Sequence, residues 1–267
     1  MKIGIVGVAG RMGSTLVHEV NQTTGAFLAA ATEAPNMAHI GRDVGAVVGL
    51  DELKIIIQDT PNHMFEVCDV VIDFSTPALI KTHADLAIKY KTALVVGTTG
   101  LGEAEQKELD RACQKVPVIQ AGNMSLGVNI LQGLTHKLAS VLGDDWDIEI
   151  LEMHHRHKVD APSGTALMLG EAAAAGRNIN LKDHAVMSRE GYTGPRKDGD
   201  IGFATLRGGS VIGDHSVIFA GDNEIIEINH RAASRTIFAK GAVRAALWCD
   251  KRAPGRYNMQ DVLGFND

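Results

Sequence analysis

Ile3-Gly4-Ile5-Val6-Gly7-Val8-Ala9-Gly10-Arg11-Met12-Gly13 is the stretch that decides the fold. A short apolar run ends in a loop with glycine at every third position, and a helical pattern over Gly13–Asn21 follows at once. Glycines at such a strand-to-helix junction allow a tight turn and let backbone amides at the positive end of a helix approach a pyrophosphate. The spacing is G-x-x-G-x-x-G, not G-x-G-x-x-G, so the loop taken alone also suits plain strand–helix packing. Its position favours a dinucleotide. Glu33 lies at the predicted end of the second strand, where a carboxylate accepts hydrogen bonds from the ribose hydroxyls of NAD. Ala34 follows and offers no charge to a 2′-phosphate, with Arg11 and Arg42 the nearby basic residues, so NADH is expected to serve at least as well as NADPH.

Working outward, Phe27–Ala31, Val70–Phe74, Leu94–Val96 and Val118–Gln120 repeat the apolar character of Ile3–Val6 and predict strands buried on both faces. Helical periodicity covers Thr76–Tyr90 and Glu103–Lys115, with Asp73-Phe74-Ser75-Thr76-Pro77 supplying a capping residue and an early proline. This alternation predicts a Rossmann-like, doubly wound parallel sheet. The turns Gly97-Thr98-Thr99-Gly100 and Ala121-Gly122-Asn123-Met124 then fall at the carboxyl edge of the sheet, where such folds bind ligands. Asn123 suits either the nicotinamide carboxamide or an ordinary turn. Beyond Ser125 the character changes: a helix over Val128–Leu142, a strand over Trp146–His154 and a helix over Ser163–Ala175 precede three strand-like runs, Ile201–Arg207, Asp214–Ala220 and Glu224–His230. That grouping predicts a smaller α+β domain with an antiparallel or mixed sheet. Thr236–Trp248 is again helical, and a polar tail follows.

With 267 residues, 45% of them hydrophobic and 22% charged, the composition is that of a globular α/β protein. A net charge of −6 gives no global footprint for nucleic acid or an anionic membrane, and no apolar run is long enough to span a bilayer. The chain enters a strand immediately, which predicts no secretory leader. Cys68, Cys113 and Cys249 form no CxxC motif and are expected to be reduced, cytoplasmic thiols, with Cys68 packed as a small hydrophobe.

The densest chemistry lies in Glu149-Ile150-Leu151-Glu152-Met153-His154-His155-Arg156-His157-Lys158-Val159-Asp160-Ala161-Pro162-Ser163-Gly164-Thr165-Ala166. Three imidazoles, two cations and a carboxylate crowd His154 to Asp160. Ser163 suits an N-cap, so the Gly164 and Thr165 amides would open a helix and form a carboxylate site, with Lys158 completing a pocket for a small dianionic acid. A metal site would need a ligand triad of established spacing, and none is present. A solvated basic loop remains the plainer alternative, and His157 is expected to face solvent or serve structure.

This run resembles the signature of the 4-hydroxy-tetrahydrodipicolinate (dihydrodipicolinate) reductase family, and the likeness continues through the glycine loop, Gly97 to Gly100, Asn123 to Asn129, Ser188 to Gly191, Ile201 to Ala204 and Gly241 to Arg244. The resemblance implies a cytoplasmic homotetramer that reduces a cyclic dicarboxylate with NADH or NADPH in lysine synthesis through diaminopimelate. It implies a dinucleotide-binding domain over 1–125 and 235–267, and a substrate-binding and oligomerisation domain over 126–234. His154 would be the acid/base residue and Lys158 the second catalytic group, with His155, Lys158, Gly164 and Thr165 holding substrate. Gly7, Val8, Ala9, Gly10, Arg11, Met12, Glu33, Gly97, Thr98, Thr99, Ala121, Gly122, Asn123 and Met124 would hold the dinucleotide, and no metal is implied. The chain departs from many NADPH-competent members at Ala34, where those carry Arg, and at Thr76, where an Arg can lie beside the cofactor. A rival, an aspartate-semialdehyde-type dehydrogenase, needs a nucleophilic cysteine near a histidine, and none of the three cysteines has that context. A dinucleotide sensor without turnover would need no Lys/His pair beside an anion site.

Overall fold

The computed structural model describes residues 1–266 and divides into two compact units, one formed by Met1–Leu126 with the segment from Thr236 onward, the other by Gly127–Arg235. The chain opens with β1 (Lys2–Val6), α1 (Arg11–Gln22), β2 (Phe27–Thr32), the short helices α2 (Val44–Val48) and α3 (Asn62–Val67), and β3 (Val70–Asp73). A 3-10 turn over Pro77–Leu79 leads into α4 (Ile80–Tyr90), followed by β4 (Ala93–Val96), α5 (Glu103–Cys113) and β5 (Pro117–Gln120). Helix α6 (Leu126–Val141) carries the chain into the second unit, built from β6 (Asp147–His154), α7 (Gly164–Gly176), α8 (Leu181–His184), β7 (Ala185–Val186), β8 (Ile201–Arg207), β9 (Asp214–Ala220) and β10 (Ile225–Arg231). α9 (Thr236–Trp248), β11 (Gly255–Tyr257) and α10 (Met259–Leu263) return to the first unit.

The first unit is a Rossmann-like sheet of six parallel strands in the order β11-β5-β4-β3-β1-β2. Alternate residues of its aliphatic strands enter two separate cores. Ile3, Ile5, Val70, Ile72 and Val95 pack with residues of α1 and α9, while Val71, Leu94, Val96 and Val118 pack with α3, α4 and α5. Each fully buried aliphatic side chain contributes roughly 1.5–3 kcal/mol, which is why near-continuous Val/Ile runs define these strands. Strand order reverses direction between β1 and β3, so the loops at their carboxyl ends flank a switch point, the usual ligand crevice of this architecture.

Two local expectations need correction. The helix expected over Thr76–Tyr90 begins as a 3-10 turn and becomes α-helical only at Ile80, and the Thr76 side chain makes no capping bond among the described residues. Asp73 does not cap it either, because its carboxylate is committed to Ser75 and His83. The polar tail contains a strand as well: β11 adds in parallel to the edge of β5, held by main-chain pairing that composition does not reveal.

The second unit is a mixed sheet, ordered β10-β9-β6-β8-β7, with β9 antiparallel to both its neighbours and β8 parallel to both of its own. Alternation along β6 sends Ile148, Ile150, Glu152 and His154 to one buried face. The two isoleucines meet residues of α6 and α7. Glu152 pairs in register with His215 of β9, and His154 with Arg207 of β8. The opposite face carries Glu149, Leu151 and Met153, only part-buried, beside Leu206, which is 47% exposed. Among the described residues no helix is long and apolar enough to cross a membrane.

Candidate active site

In the first unit the candidate dinucleotide residues follow the carboxyl ends of β1, β2, β4 and β5 and so share one edge of the sheet. Gly7 has φ +67°, a conformation that favours glycine, and its carbonyl accepts from the Gly10 amide at 3.1 Å. A Cβ at Gly13 would collide with the Gly7 carbonyl, so the last glycine of the motif lets α1 pack tightly under the loop. Among the described residues no side chain caps α1, which leaves its first-turn amides available to an anion. Val8 is buried, with its amide bonded to the Thr32 carbonyl, whereas Gly10 and Arg11 are exposed and Met12 is half-buried.

Glu33 is placed against this loop. Its Oε2 accepts from the Ala9 amide at 3.0 Å and its Oε1 from the Ala34 amide at 2.9 Å. Two backbone bonds fix the carboxylate at the end of β2, and no Lys or Arg pairs with it among the described residues. Gly97 packs under the Phe74 ring, where a Cβ would clash. Thr98 is buried, its hydroxyl donating to the Asp73 carboxylate at 3.1 Å, while Thr99 is exposed. Asn123 accepts from the Ser125 amide at 2.9 Å through its side chain, an Asx turn that shapes the loop after β5. Ala121 and Gly122 are accessible there, and Met124 is buried against the close approach of Gly241 in α9.

In the second unit, His154, His155, Lys158, Gly164 and Thr165 lie on the end of β6, the loop after it and the start of α7. His154 Nδ1 is 2.6 Å from Glu152 Oε2. Glu152 is 1% exposed and also accepts the Ser163 amide at 3.0 Å and a forked pair from Arg207 at 2.8 and 2.9 Å. Burial alone would raise its carboxyl, but the hydrogen bonds from Arg207 and His154 outweigh that and hold it below the ordinary glutamate value. An ionised Glu152 only accepts, so His154 carries its ring proton on Nδ1 and presents Nε2 for chemistry. Ser163 is the N-cap of α7, accepting from the Ala166 amide at 3.1 Å, and its hydroxyl lies 3.1 Å from His215 Nε2. His215 packs edge-on to His154, ring centroids 5.1 Å apart. Burial, reinforced by the proximity of His154, lowers its pKa to about 4, so it is neutral near pH 7.

Lys158 is paired with Asp160 at 2.8 Å, and that pairing keeps the Asp160 carboxyl low. A Cβ at Gly164 would meet nothing within 4 Å among the described residues, so the start of α7 is open to a ligand. The His155 Nδ1 is buried and has no hydrogen-bond partner among the described residues. His157 is exposed. Sequence reasoning passes over Arg207 and His215, which arrive from β8 and β9 and carry no local signal. Glu152 was within reach, because period-two alternation puts it on the His154 face.

A family model described as "Dihydrodipicolinate reductase, N-terminus" matches residues 1–124, and one described as "Dihydrodipicolinate reductase, C-terminus" matches residues 127–263. A protein of Rhizobium rhizogenes named 4-hydroxy-tetrahydrodipicolinate reductase is 52% identical, the match covering 100% of this chain and 97% of that one. A Brucella abortus protein of the same name is 51% identical over 100% of both chains. Among solved structures, a dipicolinate-bound dihydrodipicolinate reductase from Paenisporosarcina sp. TG-14 shares the fold with a TM-score of 0.78, at 20% identity and 98% coverage of each chain. A probable dehydrogenase from Thermotoga maritima shares it with a TM-score of 0.64, at 12% identity and coverage of 99% of this chain and 93% of that one.

Proposed function

The chain belongs to the dihydrodipicolinate reductase family, and on that premise we propose that it reduces 4-hydroxy-tetrahydrodipicolinate to tetrahydrodipicolinate with NAD(P)H, in lysine biosynthesis through diaminopimelate. Net turnover takes one hydride and one proton into the substrate and releases one water. The observation that carries this reading is a buried, ionised Glu152 orienting His154 beside the open start of α7 and the cation Lys158.

The residues present fit a pyridine nucleotide: the uncapped α1, the left-handed Gly7 and the tethered Glu33 form a cradle for pyrophosphate and ribose. Gly7 to Met12 would hold the phosphates, Glu33 the adenosine ribose, and Gly97 to Thr99 with Ala121 to Met124 the nicotinamide end. The nucleotide supplies the hydride. His154 delivers the accompanying proton from Nε2, because Nδ1 is committed to Glu152. Lys158 stabilises the negative charge that builds on the ring and its carboxylate, exchanging Asp160 for the substrate as partner. The amides of Gly164 and Thr165 hold a carboxylate at the positive end of α7, and His155 adds a further contact.

Glu33 without a cationic neighbour favours a free 2′-hydroxyl over a 2′-phosphate, so NADH serves at least as well as NADPH. The open face of the mixed sheet, with Leu151, Met153 and Leu206, supports assembly into a homotetramer through this unit. Three free thiols support a cytoplasmic location. The purified protein should oxidise NADH or NADPH only when substrate is generated in place from pyruvate and aspartate semialdehyde. A preparation that binds nucleotide but leaves it unoxidised under those conditions would point to a sensor instead.

A further inference from the structure

We propose that Arg207 is a positioning residue for this reaction: by gripping Glu152 it keeps His154 in one tautomer and tempers the pull of that carboxylate on the imidazole's second proton. Glu152 is deeply buried and accepts from three directions, the Arg207 fork, His154 and the Ser163 amide. Arg207 reaches it because β8 runs parallel to β6 with Arg207 in register beside His154. The same guanidinium donates to the Asp160 carbonyl at 2.7 Å. One cation therefore ties down both the carboxylate behind His154 and the loop that carries Lys158.

The electrostatic consequence has a definite sign. A buried carboxylate facing only an imidazole would hold the imidazolium so tightly that it became a poor acid. Arg207 shares that negative charge and repels a second positive charge on His154. The other groups facing this centre are His215 of β9, Lys158 and Asp160 of the loop, and, further off, His230 of β10 with Asp214 of β9. Ser163, from the start of α7, brings no charge. Removing the guanidinium charge must raise the midpoint at which His154 titrates, and removing the carboxylate charge must lower it. A residue that only supported the fold would not move the midpoint in opposite directions.

The inference rests on His154 being the proton donor, so its test has two arms. NMR titration of the His154 ring in Arg207→Met, Glu152→Gln and the double variant reads the midpoint without reference to turnover. The expected result is a rise of about one pH unit in Arg207→Met, a comparable fall in Glu152→Gln, and a double variant close to the unaltered protein. An unmoved midpoint, or shifts of the same sign in both single variants, overturns the proposal. The second arm is the alkaline limb of the kcat/KM profile, which should move with the midpoint. If the NMR shifts appear and that limb stays put, the positioning role stands and His154 is not the donor. Should Arg207→Met fail to fold, Arg207→Lys takes its place. The retained charge should leave the midpoint near its original value, while loss of the fork lowers kcat several-fold. A lysine variant with normal kcat would contradict the proposal.

Discussion

Glu152 and His154 stand two residues apart on one face of β6, with Oε2 2.6 Å from Nδ1. A strand repeats every second residue, so this pairing is written into local geometry and needs no long loop to assemble it. What makes it chemically useful arrives from elsewhere: Arg207 keeps the carboxylate charged, and Ser163 joins it to the start of α7.

Replacing His154 or Lys158 by Ala should lower kcat by about 10²–10⁴ while leaving the dissociation constant for NADH essentially unchanged. Steady-state kinetics with fluorescence titration of NADH checks this. Near-normal kcat in both variants would remove these residues from the chemistry.

Ala34→Arg should turn the nucleotide preference toward NADPH. A new charge-assisted bond to a 2′-phosphate is worth about 1.5–3 kcal/mol, or roughly ten- to a hundredfold in the ratio of kcat/KM values. An unaltered protein already favouring NADPH by more than about tenfold would contradict the role given to Glu33 and Ala34, since that ratio equals a full 1.4 kcal/mol.

His215 should make stability fall as the solution is acidified. Its pKa is lowered from 6.5 to about 4. Between those values the unfolded chain takes up a proton that the folded chain refuses, so stability is lost as pH drops through that window, on the order of 3 kcal/mol in all. Glu152 and Asp73 behave differently, because their lowered carboxyls stabilise the fold until the pH falls below the ordinary carboxylate range. Urea unfolding at pH 7 and pH 4.5 should show the loss, and His215→Gln should flatten it.

Asp73 and His83 form a buried hydrogen-bonded pair, Oδ2 to Nδ1 2.7 Å, at the carboxyl end of β3. Asp73 also accepts from Ser75 and Thr98, so one carboxylate ties α4 to the turns after β3 and β4. His83→Ala would strand that charge and should cost about 3–5 kcal/mol in chemical unfolding, with weaker NADH binding through the loosened Thr98 turn. A cost below about 1 kcal/mol would show that the pair is dispensable.

Much of this architecture is legible in the residues themselves. The parallel sheet can be read because Ile3–Val6, Val70–Ile72 and Leu94–Val96 are apolar on both faces, and only burial between two helical layers explains such runs. Ser163 can be read as an N-cap from its place before an alanine-rich helix, and the structure gives it that bond. Other features arise from long-range pairing. Strand β11 exists because an edge of β5 is there to receive it. Arg207 and His215 meet Glu152 and Ser163 only through sheet register, which periodicity within one segment does not encode. Asp73 looks like a helix cap in sequence because Ser, Thr and Pro follow it, yet burial commits it to His83.

The most direct test of the central claim is turnover with NADH carrying deuterium at both C4 positions, the substrate being generated in place and the product weighed by mass spectrometry. The account predicts one deuteron in each tetrahydrodipicolinate formed, in step with NADH oxidised, and loss of that transfer in the His154→Ala, Lys158→Ala double variant. Unlabelled product, or nucleotide oxidation that does not depend on the dicarboxylate, would contradict it.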